Sequence, residues 1–534
     1  MKKIICCFLA CAFMISVAMG LVACGTDYSE DAVVIYVEYN GLIGKGDEEV
    51  EVALEEKFLA DTGESIDLIV EANSTSTIGQ KVTGALGADS DRIDAIITHY
   101  SSDSLITQMI GNEQEVKDIT DAVQTYAPAY LAALNDESDP NKFVYRKGLY
   151  NGRIFAMSSV EPASIFGMMV NRNYMANTSF NPDEYDIANE GYKSLTISEF
   201  TRLLRELDEN NPEIGRPLGG APYDLEYFIA PVFENAGYIH MDKVDGVVYP
   251  AYATESYLDV LEYERMLQVE KLWNENPTNS PNAERDFLAG KSAIYISYPE
   301  VTQQINKARD LKKSMGHDCI MLAPLRPDGS EESNGNARHE TAFLGMIVPK
   351  KGQNTELLLK FINWMYADVE NYELAKYGIE GEHWVKAEVD GQPAYAYPDE
   401  KKEEYEETAP YNGLYCFLPN VFISNRIYAG YNEQEDKWVE EVHNFKTYPA
   451  NGYVEEGMNL PAVPRSNRDL VRQEAAFGLE YTNIRKYAWS DAALPDGETL
   501  ASMHQTMMQN VATTYADYIA YINEEYNKII ESYQ

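Results

Sequence analysis

Cysteine is nearly absent from the body of this chain. Of six in 534 residues, Cys6, Cys7, Cys11 and Cys24 fall within the first 24 positions. Only Cys319 and Cys416 remain, too few for a disulfide framework and without metal-ligand spacing. They read as two isolated core thiols, with a bridge between them as the alternative. Histidine is scarce too, with seven residues and no pair at metal-binding helical spacing. There is no Gly-x-Ser-x-Gly elbow, no His-Glu-x-x-His and no calcium-loop pattern. No metal and no cofactor are therefore expected. Positive charge is in short supply, with 43 Lys and Arg against 86 Asp and Glu, a formal net charge of -43. A surface this acidic repels nucleic acid, which excludes that class of partner. After the first 24 residues no apolar run is long enough for a transmembrane helix, and no repeat of solenoid period is present.

What the chain does have begins at its start. Lys2 and Lys3 precede an almost wholly apolar stretch from Ile4 to Val22, which ends in Leu21-Val22-Ala23-Cys24-Gly25. That is a secretory signal with a small-residue cleavage site, and its ending resembles a bacterial lipobox. The resemblance implies cleavage after residue 23 and lipid on Cys24. Each buried methylene contributes about 0.8 kcal/mol, so several acyl chains hold a protein firmly to a membrane. The expected location is the extracellular face of a bacterial cell membrane, lipid-anchored and not spanning. Residues 24–31 form a short polar tether.

Beyond the tether, Ala32 to Val37, Ser65 to Val70 and Ile93 to Thr98 are short apolar runs separated by helical or polar spans, Glu48 to Ala60 among them. Strands alternating with helices predict an α/β fold with a mostly parallel sheet. Thr196-x-x-Glu199 is a capping box, followed at helical spacing by Phe200, Leu203, Leu204 and Leu207. Asn354 is placed to cap a second helix. Val511, Tyr515, Tyr518 and Ile522 predict one long amphipathic helix. Glu331 to Glu340 reads as an exposed loop, and Lys401 to Thr408 as a charged solvated segment. Tyrosine is in excess, 39 against 5 Trp. Its apolar face and hydroxyl suit sugar binding, and equally any secreted surface. Gly41-Leu-Ile-Gly44-Lys45-Gly46 imitates a phosphate loop but has the wrong glycine spacing and no Ser or Thr after the Lys.

Several segments, taken in order, resemble the bacterial extracellular solute-binding proteins, the carbohydrate-binding lipoproteins of ABC transporters. Phe287-Leu-Ala-Gly290-Lys291-Ser-Ala293-Ile294 is similar to their F-x-x-G-K-x-A-M signature. Tyr150-Asn-Gly152-Arg-Ile-Phe155-Ala156 resembles D-G-K-x-Y-A-x-P, and Met169-Val-Asn171-Arg-Asn173-Tyr174 resembles Y-N-K-D-L. Leu195 to Phe200 resembles W-x-E-F, and Phe343 to Trp364 the G-x-x-I-P-K segment and its following helix. Gly378-Ile379-Glu380-Gly381-Glu382-His383-Trp384 is similar to the G-I-E-G-x-H-Y run of the larger members. The chain departs from the pattern at Met157-Ser158, where a proline is usual, at Ile294 in place of Met, and in its longer stretch beyond Trp384.

The resemblance implies a two-lobed periplasmic-binding-protein-like α/β fold with a ligand cleft between the lobes. The lobe boundaries expected from it are 32–160 plus 320–378, and 161–319 plus 379–534. It implies a monomeric, non-enzymatic protein that captures a carbohydrate, an oligosaccharide, by lobe closure and delivers it to ABC transporter permease subunits. Ligand-binding residues implied at strand ends and turns are Thr98, His99 and Tyr100, Tyr223 and Asp224, Tyr298 and Glu300, and His383 and Trp384. For each, packing or solvation is the competing reading. A surface-anchored glycosidase or lyase is the rival from another class, and a peptide, polyol or metal chelate are rival ligands on the same fold.

Overall fold

The computed structural model describes residues 28–39, 41, 43–87, 92–99, 109, 115–134, 148–150, 153–160, 167–237, 241–275, 277–278, 280–297, 301–338, 344–389, 391–445, 447–449, 463 and 467–533. The signal, the lipobox and the first half of the tether lie outside them, as do Tyr100, Tyr298 and Glu300.

The strands that build the two principal sheets are, in chain order, β1 (Ala32–Glu38), β2 (Asp67–Asn73), β3 (Ala95–His99), β4 (Ala156–Ser158), β5 (Gly167–Asn171), β6 (Leu218–Gly219), β7 (Ile294–Ser297), β8 (Cys319–Leu322) and β9 (Leu344–Ile347). The helices that matter below are α1 (Lys45–Thr62), α2 (Ile197–Asn210), α3 (Pro222–Ile229), α4 (Tyr257–Val269), α5 (Val301–Met315), α6 (Thr355–Ala367), α7 (Val369–Tyr377), α8 (Glu433–Asn444), α9 (Arg468–Ala488), α10 (Leu500–Val511) and α11 (Ala516–Tyr533). Among the described residues, one sheet has the order β2-β1-β3-β9-β4 and the other β8-β5-β7-β6.

In the first sheet β1 pairs in parallel with both β2 and β3, and β9 runs antiparallel to β3 and β4. β1 reads as a nearly continuous apolar run because helices cover both of its faces, as a central parallel strand requires. In the second sheet β5 is antiparallel to β7 and β8, and β6 is parallel to β7. Each sheet carries its own core. Phe58, Phe361 and Phe417 sit in the first, and Phe200, Leu204, Phe228, Tyr257 and Trp273 in the second.

The registers show which edge of each sheet faces the other lobe. Leu344 pairs with His99, and Gly345 with Ser158, so β1 to β4 all end where β9 begins. In the second sheet Ser297 pairs with Gly167, Tyr295 with Gly219, and Leu322 with Met168. The ends of β6, β7 and β8 thus share an edge with the start of β5. The chain passes between lobes from β4 to β5 and from β8 to β9, and both passages leave and enter at these edges. The C-terminal strand ends of both sheets therefore meet at the lobe junction. A third passage, at residues 428–431, is lined with rings. Trp384–Tyr377, Tyr377–Tyr395, Tyr395–Tyr428 and Tyr428–Tyr431 are 5.3, 5.3, 5.2 and 5.2 Å apart. Tyr431 then donates to Thr302 on α5 at 3.1 Å.

Local expectations and local structure agree at several points. Thr196 Oγ1 accepts from the Glu199 amide and Glu199 Oε2 accepts from the Thr196 amide, closing the capping box of α2 at 3.1 and 2.9 Å. Asn354 precedes α6, but its side chain does not cap the helix; it donates to the carbonyls of Glu30 and Ala32, both at 2.8 Å. The long helix expected through Val511 and Ile522 is two helices, α10 and α11. Between them Thr513 returns a hydrogen bond to the Gln509 carbonyl at 3.0 Å, and the Tyr515 amide bonds back to Asn510 at 2.9 Å. Lys402–Glu407 is a short exposed helix. Asn336–Arg338 is a strand paired with Thr447–Pro449, inside what reads as a loop. Both Cys319 and Cys416 are buried free thiols.

The lobe boundaries differ from those expected. β8 belongs to the second sheet, where the division at residue 320 would have put it in the first lobe. Tyr411 to Leu418 lie in the first lobe's core, where Tyr366 donates to the Leu418 carbonyl at 2.8 Å. The first lobe thus keeps the chain to about Tyr428, and the second regains it at α8. The cause is aromatic bulk: Tyr411, Tyr415 and Phe417 fill space left by α6 and α7, and no periodicity marks the return.

Candidate functional site

The junction edge of the first lobe is built around Glu38. The chain turns from β1 to β2 on one side and to β3 on the other, so the gap between β1 and β3 is a topological switch point. Glu38 closes β1 there, largely buried. Thr98 donates its hydroxyl to Glu38 Oε2, the His99 amide donates to the same oxygen at 3.1 Å, and His99 Nδ1 lies 2.7 Å from Oε1. Burial pushes the Glu38 carboxyl upward. The hydrogen bonds from His99, Thr75 and Thr98, with the charge of His99, outweigh that and hold it at about 2. Thr98 and His99, singled out as candidates, thus share one acid that the sequence reading passed over. The signal was visible: an apolar strand that ends in a lone Glu before Tyr39-Asn40-Gly41.

The facing edge of the second lobe carries two polar side chains with unmet hydrogen-bonding capacity. Asp224 sits in the first turn of α3, after Gly219-Gly220, and is 1% exposed. Its Oδ2 accepts from the Ala221 amide at 3.3 Å, and Oδ1 has no partner in the chain. Burial pushes this carboxyl up to about 8, against the pull of the Ala221 amide. It is therefore a neutral acid at neutral pH, able to donate as well as accept. Gln304, in the first turns of α5, is also 1% exposed, and neither Oε1 nor Nε2 has a partner. Its amide lies directly over Gly167, where an added Cβ would sit 1.8 Å from Oε1, so a side chain at the start of β5 would displace the Gln304 amide. A buried polar atom without a partner costs about 1–3 kcal/mol, so two such groups at one edge mark a place built for something other than stability. Tyr223 is half-buried beside Asp224 and packs on the second core. No motif marks Gln304 in the sequence.

His383 and Trp384 are placed differently. His383 Nδ1 accepts from the Ile379 amide at 3.2 Å, which leaves Nε2 to donate to Glu49 on α1, also at 3.2 Å. Trp384 is 2% exposed, donates to the Gly378 carbonyl at 2.8 Å, and is covered by Tyr377 and the Arg426 guanidinium. Gly378 adopts φ 84°, and a Cβ there would meet His383 Nδ1 at 2.5 Å. The Gly-rich run is a tight turn that tucks both side chains into the first lobe, where both are buried. The phosphate-loop look-alike is likewise structural: Asp47 accepts from the Gly44 amide at 2.8 Å and occupies the start of α1. Among the described residues no group of three or more His, Cys, Asp or Glu is placed to hold a metal ion, and no helix is long and apolar enough to cross a membrane.

Residues 44–371, more than half of the sequence, match the family model of the bacterial extracellular solute-binding proteins. The chain belongs to that family. Solved structures similar to this solute-binding protein extend over almost its whole length. An N-glycan transport solute-binding protein from Streptococcus pneumoniae, NgtS, shares 13% identity at a TM-score of 0.62, covering 95% of this chain and 100% of its own. An HMO-binding, ABC-transporter-associated solute-binding protein from Bifidobacterium longum infantis shares 12% at 0.65, covering 94% and 99%. The alginate-binding protein AlgQ2 shares 13% at 0.60, covering 93% and 98%. These likenesses establish a shared two-lobed fold. No curated protein sequence matches the chain.

Proposed function

We propose that this solute-binding protein captures an oligosaccharide between its lobes and delivers it to the permease of an ABC transporter. The observation that carries the reading is the pair of facing strand edges. Glu38 with Thr98 and His99 stands on one, and Asp224 and Gln304, buried with unused hydrogen-bonding capacity, on the other. Sugar hydroxyls both donate and accept, which matches an ionised acid, a protonated acid and an amide. Solute-binding proteins of similar fold that bind Man1GlcNAc or HMO support the same class. Closure of the lobes around the ligand is a hinge motion driven by differential affinity for the closed form.

The proposed ligand set is Glu38, Thr98, His99, Tyr223, Asp224 and Gln304, with Tyr100, Tyr298 and Glu300, which directly follow β3 and β7 in sequence. His383 and Trp384 are assigned to the scaffold that holds α1. The protein acts as a monomer, anchored on the outer face of the membrane by lipid on Cys24, and breaks no bond in its ligand. A thermal-shift screen over oligosaccharides, polyols and peptides tests the ligand class, because a bound ligand raises the midpoint by mass action. Chromatography of the same mixtures tests the glycosidase or lyase alternative. Stabilisation by oligosaccharides without products is expected. Stabilisation by peptides alone, or accumulating sugar products, overturns the reading.

A further inference from the structure

We infer that the ligand of this cleft is an uncharged oligosaccharide, and that uronate, sulfated and sialylated glycans are excluded by the charges placed around the junction. The inference rests on the sugar-binding reading above and narrows it. The first observation is Glu38. Its carboxylate is fixed at the switch point by Thr98 and His99, on the edge where a ligand enters. An acidic sugar drawn into the closing cleft meets a like charge at short range, with water removed. Like-charge juxtaposition at an interface is strongly unfavourable.

The second observation is where the cations are. Ligands of open α/β sheets are held by the segments that follow the strand ends. The segment from β4 to β5 carries no Lys or Arg, and Arg326 after β8 donates to the Ser194 carbonyl at 3.1 Å. The first Lys or Arg after each of the other five C-terminal ends at the junction is Lys45 after β1, Lys81 after β2, Lys117 after β3, Lys243 after β6 and Lys307 after β7. Four of these have other work. Lys45 pairs with Glu49. Lys117 donates to the Gly352 carbonyl and to Thr355 at 2.6 and 2.9 Å. Lys243 donates to Tyr526 at 3.0 Å, and Lys307 pairs with Glu284 at 2.7 Å. In sequence the segment after β7 adds a further acid, Glu300. Of these lysines Lys81 alone is left over, and it is exposed, while His99 is already paired with Glu38. An anionic sugar buried here would lose its hydration with little cationic charge in return, which is unfavourable by several kcal/mol.

The third observation is what the edges offer instead. Asp224 Oδ1 and the Gln304 amide are hydrogen-bonding groups without fixed positive charge, suited to hydroxyls, ring oxygens and acetamides. Across the whole molecule, the net charge of -43 lowers the encounter rate of any anion.

The test uses the mature protein on a glycan array that carries neutral, uronate, sulfated and sialylated oligosaccharides. Calorimetry follows on neutral and uronate tetramers of matched linkage, such as mannotetraose with the mannuronate tetramer. The expected result is that every strong array signal is a neutral glycan, with the neutral tetramer bound at least about tenfold more tightly. The preference should narrow in high salt, which screens the repulsion. It should also narrow in Glu38→Gln, provided circular dichroism shows that variant folded; the salt series keeps the test decisive if it is not. Equal or tighter binding of uronates, or a preference unmoved by salt, overturns the inference and leaves the sugar-binding reading standing. Binding of peptides and of no glycan overturns both.

Discussion

Replacing Glu38 with Gln probes the junction most sharply, because the substitution keeps shape and removes charge. In the folded protein the carboxyl is held at about 2, against the usual 4.5. That difference corresponds to about 3 kcal/mol between its ionised and protonated forms. The sign follows from the direction. A depressed carboxyl contributes stability that is fully present above about pH 4.5 and is lost as pH falls through about 2. Glu38→Gln should therefore unfold at lower urea than the parent at about pH 7, by up to about 3 kcal/mol. The gap should close as pH falls from about 5 to 2. The amide can still accept from Thr98, but it turns an N–H toward His99, so part of the loss comes from a mismatched pair. Urea unfolding of both proteins across that pH range reads the gap directly. A gap under about 0.5 kcal/mol at neutral pH, or one that does not change with pH, would show that Glu38 is not held as described.

Trp384→Ala removes a buried ring from between Tyr377 and Arg426 and should lower stability by about 3–5 kcal/mol; a folded, equally stable variant with weakened ligand binding would return Trp384 to the cleft. Asp224 is raised to about 8 by burial, so the stability its protonated form contributes is complete below about pH 4 and is lost as pH rises through about 8. Asp224→Asn should flatten that part of the stability profile, and an unchanged slope would contradict the burial argument. Cys24→Ala should release the protein from the membrane fraction or block its processing, and a variant that remains membrane-bound and normally processed would remove the lipid anchor.

Much of the architecture was legible because it is local. β1 and β3 are apolar runs buried on both faces, and the Thr196–Glu199 box begins α2 where its spacing says. The ordered family segments led to the two lobes. What failed was tertiary. Nothing in the composition of Tyr411 to Leu418 says which lobe their rings fill. The helix through Val511 reads as continuous because its apolar spacing survives the break before Ala516. For the proposed cleft, Thr98 and Asp224 were reachable from strand-end reasoning, while Gln304 was not, since its place in the proposal rests on a missing partner and its contact with Gly167. Trp384 misled in the other direction. A rare Trp after a Gly-rich turn suggests exposure, yet Gly378 serves to fold the turn inward over His383. The tyrosine excess divides likewise, with Tyr377, Tyr395, Tyr428 and Tyr431 packed on one another at the lobe passage.

Small-angle scattering of the mature protein, titrated with the oligosaccharide that most raises its thermal midpoint, tests the central claim most directly. Capture by lobe closure predicts a monomer whose radius of gyration contracts as the ligand saturates. The ligand should be recovered intact afterwards. A ligand that binds to saturation without contraction, or that is converted to products, would contradict the account.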